Sequence, residues 1–183
     1  MHRQLEGRTA LVTGGGQGVG QGIARALAQA GADVVIAQRR IEEAEREAAY
    51  LRETFGVRAF AQGVDVTDAA AVDAMVALAV EQLGRLDILV NNAGGSFPKR
   101  LENHSDADMA GSLDLNYWSA FRAMRAAFPV MKAQKYGRVI NIARSTASTP
   151  TCSPWPTTPA RKRSARSPAR PLSNGVLMAS PAT

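Results

Sequence analysis

Thr9-Ala-Leu-Val-Thr-Gly-Gly-Gly-Gln-Gly-Val-Gly20 is the stretch on which the fold turns. Ala10, Leu11 and Val12 read as a short buried strand, the glycines force a tight turn, and Ile23, Ala24, Leu27 and Ala28 then recur at helical spacing. Such a strand, turn and helix leave several backbone N–H groups free at a helix N-terminus, and without β-carbons a diphosphate approaches them closely enough to bond. A strict G-x-G-x-x-G cannot be laid on these residues in any register, and a glycine-rich turn alone is also compatible with an ordinary turn. The pattern present is Thr13-Gly14-x-x-x-Gly18-x-Gly20.

Downstream, apolar runs alternate with helical periodicity. Asp33–Ala37 reads as a second strand, followed by a helix with Ile41, Ala44, Ala48 and Leu51 on one face. Val57–Gln62 is the expected third strand, and the next helix points Val72, Met75, Val76, Ala79 and Leu83 inward. Asp87–Asn91 is the fourth strand, with a loop through Pro98. A long helical pattern then carries Phe121, Met124, Phe128 and Met131 on its expected inner face, bent at Pro129. Gly137–Ile142 is the fifth strand. Strands alternating with helices imply an α/β class, a Rossmann-like doubly wound parallel sheet that is incomplete after the fifth strand, with its ligand at the strands' carboxyl ends.

Those carboxyl ends carry the candidate site residues. Strand two ends in Gln38-Arg39-Arg40. An acid there bonds the ribose 2′-hydroxyl of NAD and repels a 2′-phosphate, whereas a guanidinium grips that phosphate with two parallel bonds. Arg39 without an acid therefore favours NADP over NAD, the other reading being a solvated arginine pair that opens a helix. After strand three, Asp68 suits a helix N-cap. Strand four ends Asn91-Asn92-Ala93-Gly94.

The glycine pattern together with Asn91-Asn92-Ala93-Gly94 resembles the short-chain dehydrogenase/reductase family over residues 5 to about 151. That resemblance implies hydride transfer between nicotinamide and a small carbonyl or alcohol substrate. It implies cofactor contacts at Gly14, Gln17, Gly18, Val19, Gly20, Arg39, Asp65 and Val66, with Asp65 toward the adenine, and at Asn92, Ala93 and Gly94. NADP is the implied cofactor, with NAD possible, and no metal. Asn116 matches the family's helix asparagine, which helps hold a proton-relay water, and Ser145 is the candidate for the serine that orients the substrate oxygen, since Arg144 occupies the usual slot. His104 is expected at an exposed helix start, and Lys132 and Tyr136 in a solvated last turn. Family oligomers form through the helix before strand five and the one after it. A homo-oligomer is expected for the intact fold, but this chain holds only the first of those helices.

The family's general acid is a tyrosine made more acidic by a nearby ammonium in Tyr-x-x-x-Lys. Four residues beyond Tyr50, Tyr117 and Tyr136 stand Thr54, Phe121 and Ile140, so the motif is absent from the 183 residues. The composition breaks near the same place. From Thr151 onward come five basic residues, no acids and six of the nine prolines, while residues 1–150 carry 17 basic against 16 acidic residues. Residues 1–150 are read as the dinucleotide-binding domain and residues 151–183 as an irregular, disordered tail. Shifting the reading frame by one base from about Pro154 permits Tyr-Asp-Ala-Ser-Lys, and later Glu-Trp-Gly-Pro-His-Gly-Ile. The tail therefore reads as a frameshifted translation beginning between Thr151 and Pro154. The chain as given is expected to be inactive, with its fifth strand a raw edge.

Two other classes are weighed beside the oxidoreductase: a non-catalytic dinucleotide-binding module, and a nucleic-acid arm formed by the cationic tail. The frame shift accounts for the tail's composition without selection for binding, so nucleic acid is not the expected partner. The single cysteine, Cys152, forms no internal disulfide, the start lacks an apolar leader, and no run reaches membrane length. A cytoplasmic protein with no membrane partner is the expectation.

Overall fold

A computed structural model describes residues 3–96 and 99–143. Five parallel strands run β1 (Thr9–Thr13), β2 (Asp33–Gln38), β3 (Ala59–Gly63), β4 (Ile88–Asn91) and β5 (Arg138–Asn141), in the spatial order β3-β2-β1-β4-β5. Helices α1 (Gly18–Gln29), α2 (Ile41–Phe55), α3 (Ala69–Leu83), α4 (Asp106–Leu113) and α5 (Ser119–Ala133) connect them. A doubly wound α/β sheet is thus what the alternating periodicity builds. The one site residue expected after Ala143, Ser145, and the basic tail lie outside the described residues.

Side chains leave a buried strand on alternate faces, and the core divides accordingly. Ala10, Val12, Val34, Ile36 and Val90 pack with Ala24 and Ala28 of α1 and with Ala44, Ala48 and Leu51 of α2. Leu11, Val35, Ala37 and Leu89 face the other layer, with Val72, Met75, Val76, Ala79 and Leu83 of α3 and Ala123, Ala127 and Met131 of α5. Asp68 caps α3 by accepting hydrogen bonds from the amides of Ala70 and Ala71.

The inner face of α5 departs from the expected one. Ser119, Ala123, Ala127 and Met131 form the buried stripe, whereas Phe121 and Phe128 are exposed. Phe121 and Phe128 lie about half a turn round from Ser119 at 3.6 residues per turn. Small residues at i and i+4 let the helix sit close to the sheet, which aromatic rings would prevent. The helix continues through Pro129 without a break. The third strand starts two residues later than its apolar run, since Val57, although buried, lies in the irregular segment between α2 and β3. Among the described residues β5 pairs only with β4, and all four of its residues are exposed.

Asp87 closes the N-terminal end of the sheet. Its side chain is fully buried and accepts hydrogen bonds from the Thr9 amide, from Arg8 and, in a two-point bond, from Arg85. Burial pushes the carboxyl up, but these donors together outweigh it and hold the group below its ordinary value. Arg8 also lies 4.0 Å above the ring of Tyr136, which ties the turn before β5 to the same cluster.

Two outcomes follow. Leu89→Ala should lower stability by about 2–5 kcal/mol in chemical denaturation, against less than about 0.5 kcal/mol for Phe128→Ala. Because the folded pKa of Asp87 is depressed, its stabilisation is present above the unfolded aspartate value and is lost as pH falls through the folded one. Asp87→Asn should therefore be less stable at neutral pH and show a shallower loss of stability on acidification.

Candidate functional site

In a parallel sheet every strand presents its carboxyl end at the same rim. The order β3-β2-β1-β4-β5 makes the chain leave β1 in one direction and return on its other side, which opens a crevice between β1 and β4. Thr13 closes the floor of that crevice. Its hydroxyl accepts the amides of Asn92 and Ala93 at 3.0 Å each and donates to the carbonyl of Val90 at 3.3 Å. The Asn92 side-chain amide donates to the carbonyls of Thr13 and Gly14 at 3.0 and 3.1 Å. Two strand ends distant in sequence are thereby locked edge to edge.

The glycine turn is shaped by two residues in particular. Gly14 takes a positive φ of 65°, a conformation that side chains disfavour. At Gly20 a Cβ would stand 2.2 Å from the carbonyl oxygen of Gly14 and 2.4 Å from Asn92 Nδ2. Only a glycine there lets the first turn of α1 pack on the crevice floor. The N-terminus of α1 itself is open: Gln17 makes no side-chain cap, no acid stands in the first turn, and Gln17, Gly18 and Val19 are exposed. Unpaired amides and the positive end of the helix dipole converge there, a fit for a diphosphate.

At the end of β2, Arg39 is exposed and pairs with no carboxylate among the described residues, whereas Arg40 pairs with Glu43 at 2.9 Å. Gln38 is buried. Its Oε1 accepts the Gly16 amide at 2.8 Å, and its Nε2 donates to the Glu43 carboxylate. Asp65 is exposed on the rim after β3 and accepts the amide and hydroxyl of Thr67 at 3.0 and 2.7 Å. Those bonds, with a smaller contribution from Arg39, hold its carboxyl below the ordinary value. Val66 is buried in the α3 layer of the core, so it offers its backbone to the rim and not its side chain.

Asn116 bounds the crevice from above. Its Oδ1 accepts the Gly95 amide at 3.0 Å, and its Nδ2 donates to the carbonyls of Gly95 and Ser112 at 2.9 Å each. It lies in the middle of a π-helical turn, Asp114–Trp118, between α4 and α5. One extra residue in a turn re-aims a side chain, and such turns gather at functional sites. Here the turn fastens the loop after β4 to the helix. His104 is exposed beside Ser105, which caps α4 in a reciprocal pair with Asp108.

Sequence reasoning missed Thr13 as the junction, the Gln38–Glu43–Arg40 cluster and the π turn. A hydroxyl at the last residue of β1 and a neutral amide at the last residue of β2 were the available clues. Among the described residues no group of three His, Cys, Asp or Glu side chains is arranged to hold a metal.

The family model described as short chain dehydrogenase matches residues 8–160. The uncharacterized oxidoreductase YxjF of Bacillus subtilis is 41% identical over 136 residues, covering 74% of this chain and 52% of that protein. A 7α-hydroxysteroid dehydrogenase solved with NADH and 7-oxo glycochenodeoxycholic acid is 34% identical at a TM-score of 0.73, over 77% of this chain and 55% of that one. L-sorbose reductase of Gluconobacter frateurii, solved with NADPH and L-sorbose, is 33% identical at a TM-score of 0.73, over 77% and 54%. The chain thus spans about half the length of the curated relatives it matches. On both sequence and fold, it belongs to the short-chain dehydrogenase family.

Proposed function

We propose that the chain is the nucleotide-binding part of an NADP(H)-dependent oxidoreductase that acts on a small carbonyl or alcohol substrate. The observation that carries this reading is the open, acid-free N-terminus of α1 beside an Arg39 that pairs with no carboxylate among the described residues. The free amides at the start of α1, those of Gly18, Val19 and Gly20 with Gln17 beside them, would bind the diphosphate across the turn that Gly14 shapes, and Arg39 the 2′-phosphate through paired N–H donors. Asp65 and the Val66 backbone would meet the adenine, and Asn92, Ala93 and Gly94 the ribose. When bound, the nicotinamide supplies or accepts the hydride. Asn116 would hold the loop after β4 against α5, keep water on the rim and so serve proton transfer. Ser145 would orient the substrate oxygen.

A second reading, a dinucleotide-binding module without turnover, is favoured by the absence of Tyr-x-x-x-Lys from this sequence. We place the general acid in the shifted frame of residues 151–183, so that restoring the frame restores the acid and its lysine. A homo-oligomer of the intact fold is supported by the exposed Leu113, Tyr117, Trp118, Phe121 and Phe128 along one side of the helix before β5. The same apolar surface should make this chain prone to association.

Titration with NADPH, followed by fluorescence or melting temperature, should show binding to this chain without carbonyl reduction. The frame-restored protein should both bind and turn over. Arg39→Ala should weaken NADPH about 10- to 100-fold, the equivalent of about 1.5–3 kcal/mol for a charge-assisted bond, and leave NADH nearly unchanged. Equal losses for the two nucleotides would contradict the NADP assignment, and a bound but unreduced frame-restored protein would favour the second reading.

A further inference from the structure

The geometry points to Arg40 and Gln38 as positioning residues that set nucleotide preference by disarming Glu43, an acid built into the phosphate corner of the site. This rests on the NADP(H) reading above. The acid at issue is not on β2, where an NAD-selecting carboxylate would stand, but five residues beyond its end, as the third residue of α2.

Glu43 is near the glycine turn by two independent measures. Its carboxylate is joined to the Gly16 amide through a single side chain, since Gln38 accepts that amide with Oε1 and donates to Glu43 with Nε2. In addition, a Cβ on Gly16 would lie 3.0 Å from the carbonyl carbon of Glu43 and 3.1 Å from the amide of Ala44. The start of α2 therefore rests directly on the turn. The Glu43 side chain is only 18% exposed, so water screens its charge weakly. A second negative group brought to this corner would meet repulsion.

Arg40 removes that repulsion. Its guanidinium lies 2.9 Å from the other oxygen of Glu43 and is itself 63% exposed. With Gln38 neutral and the Arg40–Glu43 pair balanced, Arg39 is the one unbalanced charge among residues 38–40 and Glu43. Without Arg40, Glu43 would cancel Arg39 and the corner would cease to attract a phosphate. Arg40 thus acts through Glu43, whereas Arg39 acts on the nucleotide.

A double-mutant cycle on the full 183-residue chain tests this. Dissociation constants for NADPH and NADH would be measured for the parent, Arg40→Ala, Glu43→Gln and the double variant, with melting curves of each nucleotide-free protein as the control for folding. Arg40→Ala should weaken NADPH about tenfold or more and NADH less than about threefold, and Glu43→Gln alone, which frees the charge of Arg40, should leave NADPH binding as tight as in the parent or tighter. The double variant should return to within about threefold of the parent. A loss in Arg40→Ala that Glu43→Gln does not recover overturns the inference, because Arg40 would then be gripping the phosphate itself. Equal losses for both nucleotides overturn it as well. If the parent binds NADPH and the cycle shows no coupling, this inference falls and the site reading stands; if the parent binds neither nucleotide, both fall.

Discussion

The hydroxyl of Thr13 is the point on which the arrangement of the rim depends. It takes two amides from the strand end 79 and 80 residues downstream and gives its own proton to the carbonyl of Val90. Each such bond contributes about 1 kcal/mol net, but a buried donor left without a partner costs more than that. The bonds therefore act chiefly as a constraint on where β1 and β4 can end. With Asn92 held against the carbonyls of Thr13 and Gly14, the glycine turn has one course open to it, and α1 has one direction in which to leave.

The two ends of the sheet treat charge in opposite ways. At the N-terminal end, Asp87 is buried and its oxygens are satisfied by Arg8, Arg85 and the Thr9 backbone, so that pole is electrostatically closed. At the carboxyl end, the helix amides of α1 lack a cap and Arg39 lacks a partner among the described residues. These donors are exposed and can exchange solvent for an anion without breaking a bond inside the fold. That asymmetry puts paired charge at one rim and open donors at the other, and the open rim is the one at which an α/β sheet with a strand-order reversal offers a crevice.

Similar contrasts run through α5. Its Ser119–Ala123–Ala127–Met131 stripe is buried against α3 and the sheet, while its aromatic side chains stand exposed with the π turn at its head. Trp118 stacks edge-on with both Tyr117 and Phe121, so the outer face is an ordered aromatic row. One helix thus combines a close-packed inner surface, the loop-fastening Asn116 just ahead of it, and an apolar outer surface.

Much of this was legible in one dimension. Strand period, helical spacing, the glycine turn and the Asp68 cap depend on neighbours a few residues away, and those elements stand where the residues imply, within a residue or two. The inner face of α5 was not legible, because large apolar residues look more core-like than alanines until the sheet and α3 limit the space between them. Nor were the partners of Thr13, Gln38 and Glu43, or the π turn that aims Asn116. Those contacts join strand ends and helix starts that only the order β3-β2-β1-β4-β5 brings together. The sequence by itself determined the family of fold and the residue types at its rim. Tertiary structure decided which charges at that rim are paired and which are free, because pairing depends on distance in space and not on separation along the chain.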